Sequence, residues 1–183
     1  WPGKVPAGVV SNELIAHNDW MPTLLAAAGE PDVKDKLLKG HSANGRRFNV
    51  HLDGYNQLDM LLGNGPSARK EFFYFSDDGD FGAIRYDRWK ALFAVQEHHG
   101  FEVWKQPYTK LRVPYIVDLR ADPFERANHE AMGYDKWHIE HVFMLYGAQA
   151  LAGEFIATFK EYPQRQEVGS FNLDQVLEHM TAH

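Results

Sequence analysis

The sequence contains no cysteine among its 183 residues. Disulfides, thiolate nucleophiles and cysteine-ligated metals are therefore excluded within it. It also lacks any run of the roughly 18–20 apolar residues that a transmembrane helix requires, so we expect no membrane span. Basic residues are fewer than acidic ones, with 19 Lys and Arg against 25 Asp and Glu. This balance disfavours nucleic acid as a partner.

What the sequence does have is a large aromatic content, with 12 Phe, 8 Tyr and 5 Trp. Together with the length, this predicts a packed domain, or a small domain joined to a fragment of another, and excludes disorder. The sequence begins at Trp1 rather than Met, so a preceding signal peptide or domain is not visible. The lack of cysteine is compatible with both the periplasm and the cytosol, and the compartment stays open.

Residues 71–96 give the clearest structural signal. Two runs rich in Phe, Tyr, Ile and Val flank the polar segment 76–80, and such side chains favour strands. We predict a β-hairpin, because Asp-Gly supplies the positive φ angles that a tight primed turn requires. The second arm alternates from Ala83 onwards and continues the sheet through Trp89 and Phe93.

The rest of the chain gives weaker element signals. We predict a helix over residues 20–28, capped by Asp19, ended by Gly29 and apolar on nearly all sides, which implies burial against a large body. The other predictions are a short helix over 57–63, strands over 101–104 and 113–119, one helix or two abutting helices over 135–162, and a last helix opening at Asn172. The charged, glycine-containing stretch after Glu30 is predicted as a surface connection between two bodies.

Acidic and histidine clusters suggest metal sites, but each has a simpler interpretation. The aspartates at 77, 78, 80 and 87 do not follow EF-hand spacing, and turn chemistry is favoured over calcium binding. His138 and His141 stand three apart, whereas helical zinc motifs use four, so structural histidines are favoured there and at His129. Cationic residues at 85, 88, 90 and 120 are candidates for an anion, although charged positions on strands are ordinarily solvated.

Six short motifs occur in a fixed order. They are Trp-Pro-Gly at 1–3, His-Asn-Asp-Trp-Met-Pro-Thr-Leu-Leu at 17–25, Leu-Asp-Gly-Tyr at 52–55, Arg-Lys-Glu-Phe-Phe-Tyr-Phe at 69–75, Ala-x-Arg-Tyr-x-x-Trp-Lys at 83–90, and Asp-Leu-Arg-Ala-Asp-Pro-Phe-Glu-Arg-Ala at 118–127. As an ordered set they resemble the C-terminal part of bacterial arylsulfatases, in the formylglycine-dependent sulfatase family of the alkaline-phosphatase-like superfamily. The likeness extends over nearly the whole chain.

The resemblance implies an α+β fold. Residues 1–35 would be a remnant of the large α/β domain, residues 36–50 a linker, and residues 51–183 a C-terminal subdomain with about four antiparallel strands packed by a long helix. The family's machinery, a formylglycine from a C/S-x-P-x-R motif with Ca²⁺ ligands and cationic groups around the sulfate, is expected in a missing N-terminal part. None of it matches this sequence, since residues 64–69 read Asn-Gly-Pro-Ser-Ala-Arg.

The resemblance implies a parent that hydrolyses sulfate esters, with the missing N-terminal domain as this chain's partner. In the family this subdomain completes the scaffold and lines part of the substrate-cleft rim. Five residues at predicted hairpin ends are candidates for that rim: Asp78, Asp80, His98, His99 and Trp104. The alternative is a free-standing, non-catalytic binding or interaction module that reuses the subdomain. The physiological ester stays open, as does oligomerisation.

Overall fold

A computed structural model describes residues 1–165 together with Gly169 and Leu173. The chain divides into two compact units, Trp1–Phe72 and Phe73–His183. The last helix predicted at Asn172 lies outside the described residues.

The first unit contains three α-helices, a short 3₁₀ helix (His17–Asp19) and a small two-stranded sheet. Its elements are α1 (Trp20–Ala27), α2 (Val33–Leu38), β1 (His41–Ala43), β2 (Arg46–Phe48) and α3 (Leu58–Leu62). Residues 36–50, predicted as a linker, thus hold the end of α2 and the antiparallel pair β1–β2. The predicted domain boundaries themselves stay predictions.

Helix α1 forms where it was predicted and ends at a glycine. The N–H of Gly29 donates to the Ala26 carbonyl at 3.0 Å and the N–H of Glu30 to that of Leu25 at 2.8 Å. This is a Schellman arrangement, which the positive φ of Gly29 (98°) permits. Of its apolar side chains, Trp20, Met21 and Leu24 remain 45%, 52% and 62% exposed. One face of α1 is therefore bare.

The second unit is built on a four-stranded antiparallel sheet with the order β3-β4-β5-β6. Its strands are β3 (Glu71–Phe75), β4 (Phe81–Tyr86), β5 (Trp89–Val95) and β6 (Thr109–Asp118). The predicted hairpin is confirmed, but its turn is longer than a tight primed turn, spanning residues 76–80. The predicted second arm is in fact two strands, because the chain reverses again at Asp87, whose φ is +50°.

The fourth strand differs from the prediction. Residues Gly100–Trp104 form a 3₁₀ helix, not a strand, and β6 begins earlier than predicted, at Thr109. Phe101 and Trp104 are 74% and 76% exposed, so neither side chain is buried against a sheet. Pro114 lies on the edge strand β6, as expected for a residue without an N–H, and the β5–β6 register shifts next to it.

Helices α4 (Ala127–Glu130), α5 (Tyr134–His141) and α6 (Met144–Ala157) follow the sheet. The predicted helical region is two helices, α5 and α6, bent by 62°. The core joins Ile84, Ala91 and Ile116 of the sheet to Leu145 of α6. Within the described residues no single helix has the length and apolar composition to cross a bilayer; α5 and α6 pass that test only as a bent pair.

Candidate functional site

The first unit contains a deeply buried ion pair between Asp19 and Arg69. Their side chains are 0% and 3% exposed. Arg69 Nη2 lies 2.6 Å from Asp19 Oδ1, and Arg69 Nε lies 2.9 Å from Oδ2. The same guanidinium donates to the carbonyls of Asp53 and Glu71, each at 2.9 Å. The Arg69 side chain is thus hydrogen-bonded to Asp19, Asp53 and Glu71, which belong to three separate stretches of the chain.

Buried amide and hydroxyl groups complete this Asp19–Arg69 cluster. Gln57 Nε2 donates to Asp19 Oδ2 at 3.2 Å, and the Gln57 N–H donates to the Thr23 hydroxyl at 2.9 Å. The Ser67 hydroxyl donates to Gln57 Oε1 at 3.0 Å. Among the described residues no buried side-chain polar atom lacks a hydrogen-bond partner. A fully satisfied buried network makes a rigid structural element.

The electrostatics of the cluster follow from burial and hydrogen bonding. Burial alone would raise the pKa of Asp19, but hydrogen bonds from Arg69 and from the backbone N–H groups of Tyr55 and Ala16 outweigh it and lower the pKa. Burial lowers the pKa of Lys34, whose ammonium lies 4.3 Å from the Tyr55 ring centre. Burial and a hydrogen bond to Glu71 raise the pKa of Tyr55 to about 12.

The prediction that Asp19 caps α1 is wrong. Its side chain makes no capping bond to the helix, because its carboxylate oxygens accept from Arg69, Tyr55, Ala16 and Gln57 instead. Sequence reasoning missed Arg69 as well, although both residues stand in motifs that suggested the family. The two are fifty positions apart, and no spacing rule joins an aspartate before a helix to an arginine before a strand.

The second unit has an open cavity of about 360 Å³ against its sheet. We call it the sheet pocket. Its floor comes from the strands, with Ala83, Leu92 and Ala94, and its wall from the segment that includes Glu125 and His129. Ala83 pairs directly with Leu92 and Arg85 with Lys90, so these four side chains share one face. The core residues Ile84 and Ala91 occupy the opposite face.

The cations considered as anion ligands all have partners in this unit. Lys90 Nζ lies 2.8 Å from each carboxylate oxygen of Glu125. Arg88 pairs with Asp118 at 3.5 Å and Arg120 with Asp87 at 3.9 Å, and Arg85 Nε donates to the Asp87 carbonyl at 2.8 Å. The arrangement favours internal ion pairing over capture of an external anion.

The five predicted rim residues lie in three places. Asp78 and Asp80 belong to the β3–β4 turn, where the backbone N–H of each donates to the Ser76 hydroxyl. His98 and His99 follow β5 and are exposed, and Trp104 ends the exposed 3₁₀ helix. Of the five, Asp80 lines the sheet pocket. Their role in substrate binding stays a prediction.

Each of the two histidines of α5 has a ring nitrogen beside a backbone carbonyl oxygen. His138 Nε2 lies 2.9 Å from the Pro114 carbonyl oxygen, and His141 Nδ1 lies 2.7 Å from that of Trp137. The ring of His141 also stacks on Trp137, with centres 4.4 Å apart. Across the described residues there is no group of three or more His, Asp or Glu placed to hold a metal ion.

Comparison with known proteins gives consistent relatives. No family model matches the chain. It is 31% identical to human arylsulfatase A over 139 residues, covering 70% of this chain and 24% of that protein. It is 28% identical to human arylsulfatase G over 140 residues, covering 71% of this chain and 24% of that protein. It is also 28% identical to N-acetylgalactosamine-6-sulfatase of Canis lupus familiaris over 145 residues, covering 69% of this chain and 24% of that protein.

A solved structure agrees with these relatives. The PsFucS1 sulfatase from Pseudoalteromonas sp. matches with a TM-score of 0.62 and 26% identity, over 89% of this chain and 29% of that one. The chain spans about a quarter of the length of the curated relatives it matches. The family resemblance and the α+β fold predicted from sequence are both confirmed. The chain is a sulfatase C-terminal-like region.

Proposed function

We propose that the parent protein hydrolyses sulfate esters, and that this chain serves it as scaffold and as part of the substrate-cleft rim. Its relatives include arylsulfatases about four times as long as the matched region. In this proposal the reactive groups belong to the rest of the protein, and the isolated chain is inactive. In this proposal the residues that line the rim of the substrate cleft are Asp78, Asp80, His98, His99 and Trp104.

The residues present do not fit the cofactors that the family implies. Calcium takes six to eight oxygen ligands, yet the described residues offer no suitable acidic cluster. The most buried carboxylate, that of Asp19, has its oxygens engaged by Arg69 and by nitrogen donors. The sequence has no cysteine, and none of its serines begins an S-x-P-x-R motif, so no residue matches the precursor of formylglycine. In this proposal Ca²⁺ and formylglycine belong to the rest of the protein.

The proposed scaffold role rests on one observation, the exposed apolar face of α1. Trp20, Met21 and Leu24 present apolar side chains to solvent, while Pro22, Thr23 and Ala26 on the same helix are buried. A free-standing module would be expected to cover such a helix within its own interior, because contiguous exposed apolar side chains mark an interaction surface. We propose the remaining part of the sulfatase as the body that this face contacts.

Substitution on the two faces of α1 tests this proposal. Leu24→Gln should change the free energy of unfolding of the chain by no more than about 0.5 kcal/mol, as for an ordinary surface position. Ala26→Gln is the control, since it forces a longer polar side chain into a packed site and should cost about 1–3 kcal/mol. Urea denaturation followed by circular dichroism measures both. A loss from Leu24→Gln as large as that from Ala26→Gln would favour the free-standing module.

A further inference from the structure

The sheet pocket exists because small residues form its floor. The backbone of Gly82 lines the pocket. The small side chains of Ala83 on β4 and Ala94 on β5 leave space above the sheet, on the face opposite the hydrophobic core. The resulting volume of about 360 Å³ lies within the range of small-molecule sites, roughly 300–1,000 Å³. Larger side chains at these positions would fill it. The space suits one compact ring-shaped ligand.

The charges around the pocket argue against an anionic ligand. Lys90 is the pocket's ammonium group, and both carboxylate oxygens of Glu125 lie 2.8 Å from it. Its ammonium also lies 4.5 Å from the centre of the Tyr74 ring. An entering anion would have to displace Glu125 and leave that half-buried carboxylate without its cation, which is costly. A neutral ligand leaves the pair intact.

The remaining lining groups suit a ligand with hydroxyl groups at its edge and C–H groups on its faces. Tyr74 and Tyr108 supply aromatic surface, and Tyr108 is 45% exposed. Asp80 and Asn128 supply oxygen and nitrogen atoms for hydrogen bonds, and His129 lies beside Asn128, with Asn128 Nδ2 and His129 Nε2 3.0 Å apart. Few polar groups on mostly apolar walls are typical of small-molecule sites.

We propose that the sheet pocket binds a single neutral sugar ring, with one ring face against Tyr108 and the alanine floor and the hydroxyl groups directed to Asp80 and Asn128. The inference rests on the proposed function only for the source of the sugar, which would be the organic part of the ester. Sugar binding itself needs no sulfate and no catalysis.

Titration of the isotopically labelled chain by nuclear magnetic resonance tests the proposal. The probes are the methyl glycosides of galactose, glucose, mannose, fucose and N-acetylgalactosamine, with inorganic sulfate as the anionic comparison. We expect at least one glycoside at millimolar concentration to shift the amide signals of Gly82, Ala94 and Tyr108. Tyr108→Ala should weaken that binding about tenfold, because the aromatic contact is lost.

Tyr146→Ala is the matched control, because Tyr146 lies on α6 outside the pocket and is 76% exposed. It should leave the affinity unchanged. The proposal is overturned if no glycoside shifts the pocket amides, if both tyrosine variants lose affinity equally, or if sulfate shifts the same amides more strongly than every glycoside. Aryl sulfate turnover by a chain that binds sugar would contradict the proposed function alone. An inactive chain that binds no sugar would overturn this inference alone.

Discussion

Arg69→Met is expected to lower the free energy of unfolding by about 3–5 kcal/mol, the cost of leaving one buried charge without its partner. The variant removes every donor that Arg69 gives to Asp19, Asn18, Asp53 and Glu71, and leaves the Asp19 carboxylate fully buried. Urea denaturation gives the magnitude, and hydrogen exchange over residues 1–72 shows where protection is lost. The control Arg126→Met removes a pair that is 68% and 63% exposed.

The control should cost no more than about 1 kcal/mol, because exposed ion pairs contribute little. The pH dependence provides an independent check. The pKa of Asp19 is lowered in the folded chain from its usual 3.8, so the stability it contributes is present above about pH 4 and is lost as the pH falls through the folded value. Equal effects of the two methionine variants would show that the Asp19–Arg69 cluster is not a structural centre.

Gly54→Ala is expected to destabilise the first unit by about 1–3 kcal/mol or more, through a steric clash. An added Cβ would lie 2.1 Å from the Asn18 carbonyl oxygen, a backbone atom that cannot move aside without moving its segment. The neighbours of Gly54 are also held by the buried cluster: the Asp53 carbonyl accepts from Arg69, and the Tyr55 N–H donates to Asp19. A shift at Gly54 would therefore disturb both hydrogen bonds.

Gly65→Ala is the matched control in the same unit, since a Cβ there would meet no heavy atom within 4 Å. We expect it to be neutral or to stabilise the chain by a few tenths of a kcal/mol through the unfolded state. Thermal denaturation of the two variants side by side measures the difference. If Gly54→Ala proved as harmless as Gly65→Ala, the close approach of residues 18 and 54 would not hold in solution.

Local signals in the sequence predicted local structure well. The aromatic runs and the Asp-Gly turn placed the β3–β4 hairpin, and Gly29 placed the end of α1. The prediction of a strand over residues 101–104 was wrong, because these residues form a 3₁₀ helix in which Phe101 and Trp104 stay exposed.

The candidate sites depended on contacts that sequence patterns do not contain. The Asp19–Arg69 pair joins residues fifty positions apart, and Asp19 before a helix is equally well explained as a cap. The sheet pocket depends on the contact between Lys90 and Glu125, which lie 35 positions apart in the sequence. The motifs behind the family resemblance include residues of the Asp19–Arg69 cluster and of the sheet pocket. They do not indicate what these side chains do, because shared motifs do not separate structural residues from catalytic ones.

Turnover of an aryl sulfate by the isolated chain tests the central claim most directly. The measurement is release of 4-nitrophenolate from 4-nitrophenyl sulfate in the presence of Ca²⁺, with human arylsulfatase A as the positive control. We predict a rate for the folded chain equal to the rate without protein. Saturable, Ca²⁺-dependent turnover by this chain alone would contradict the account, because it would place the reactive groups among these residues.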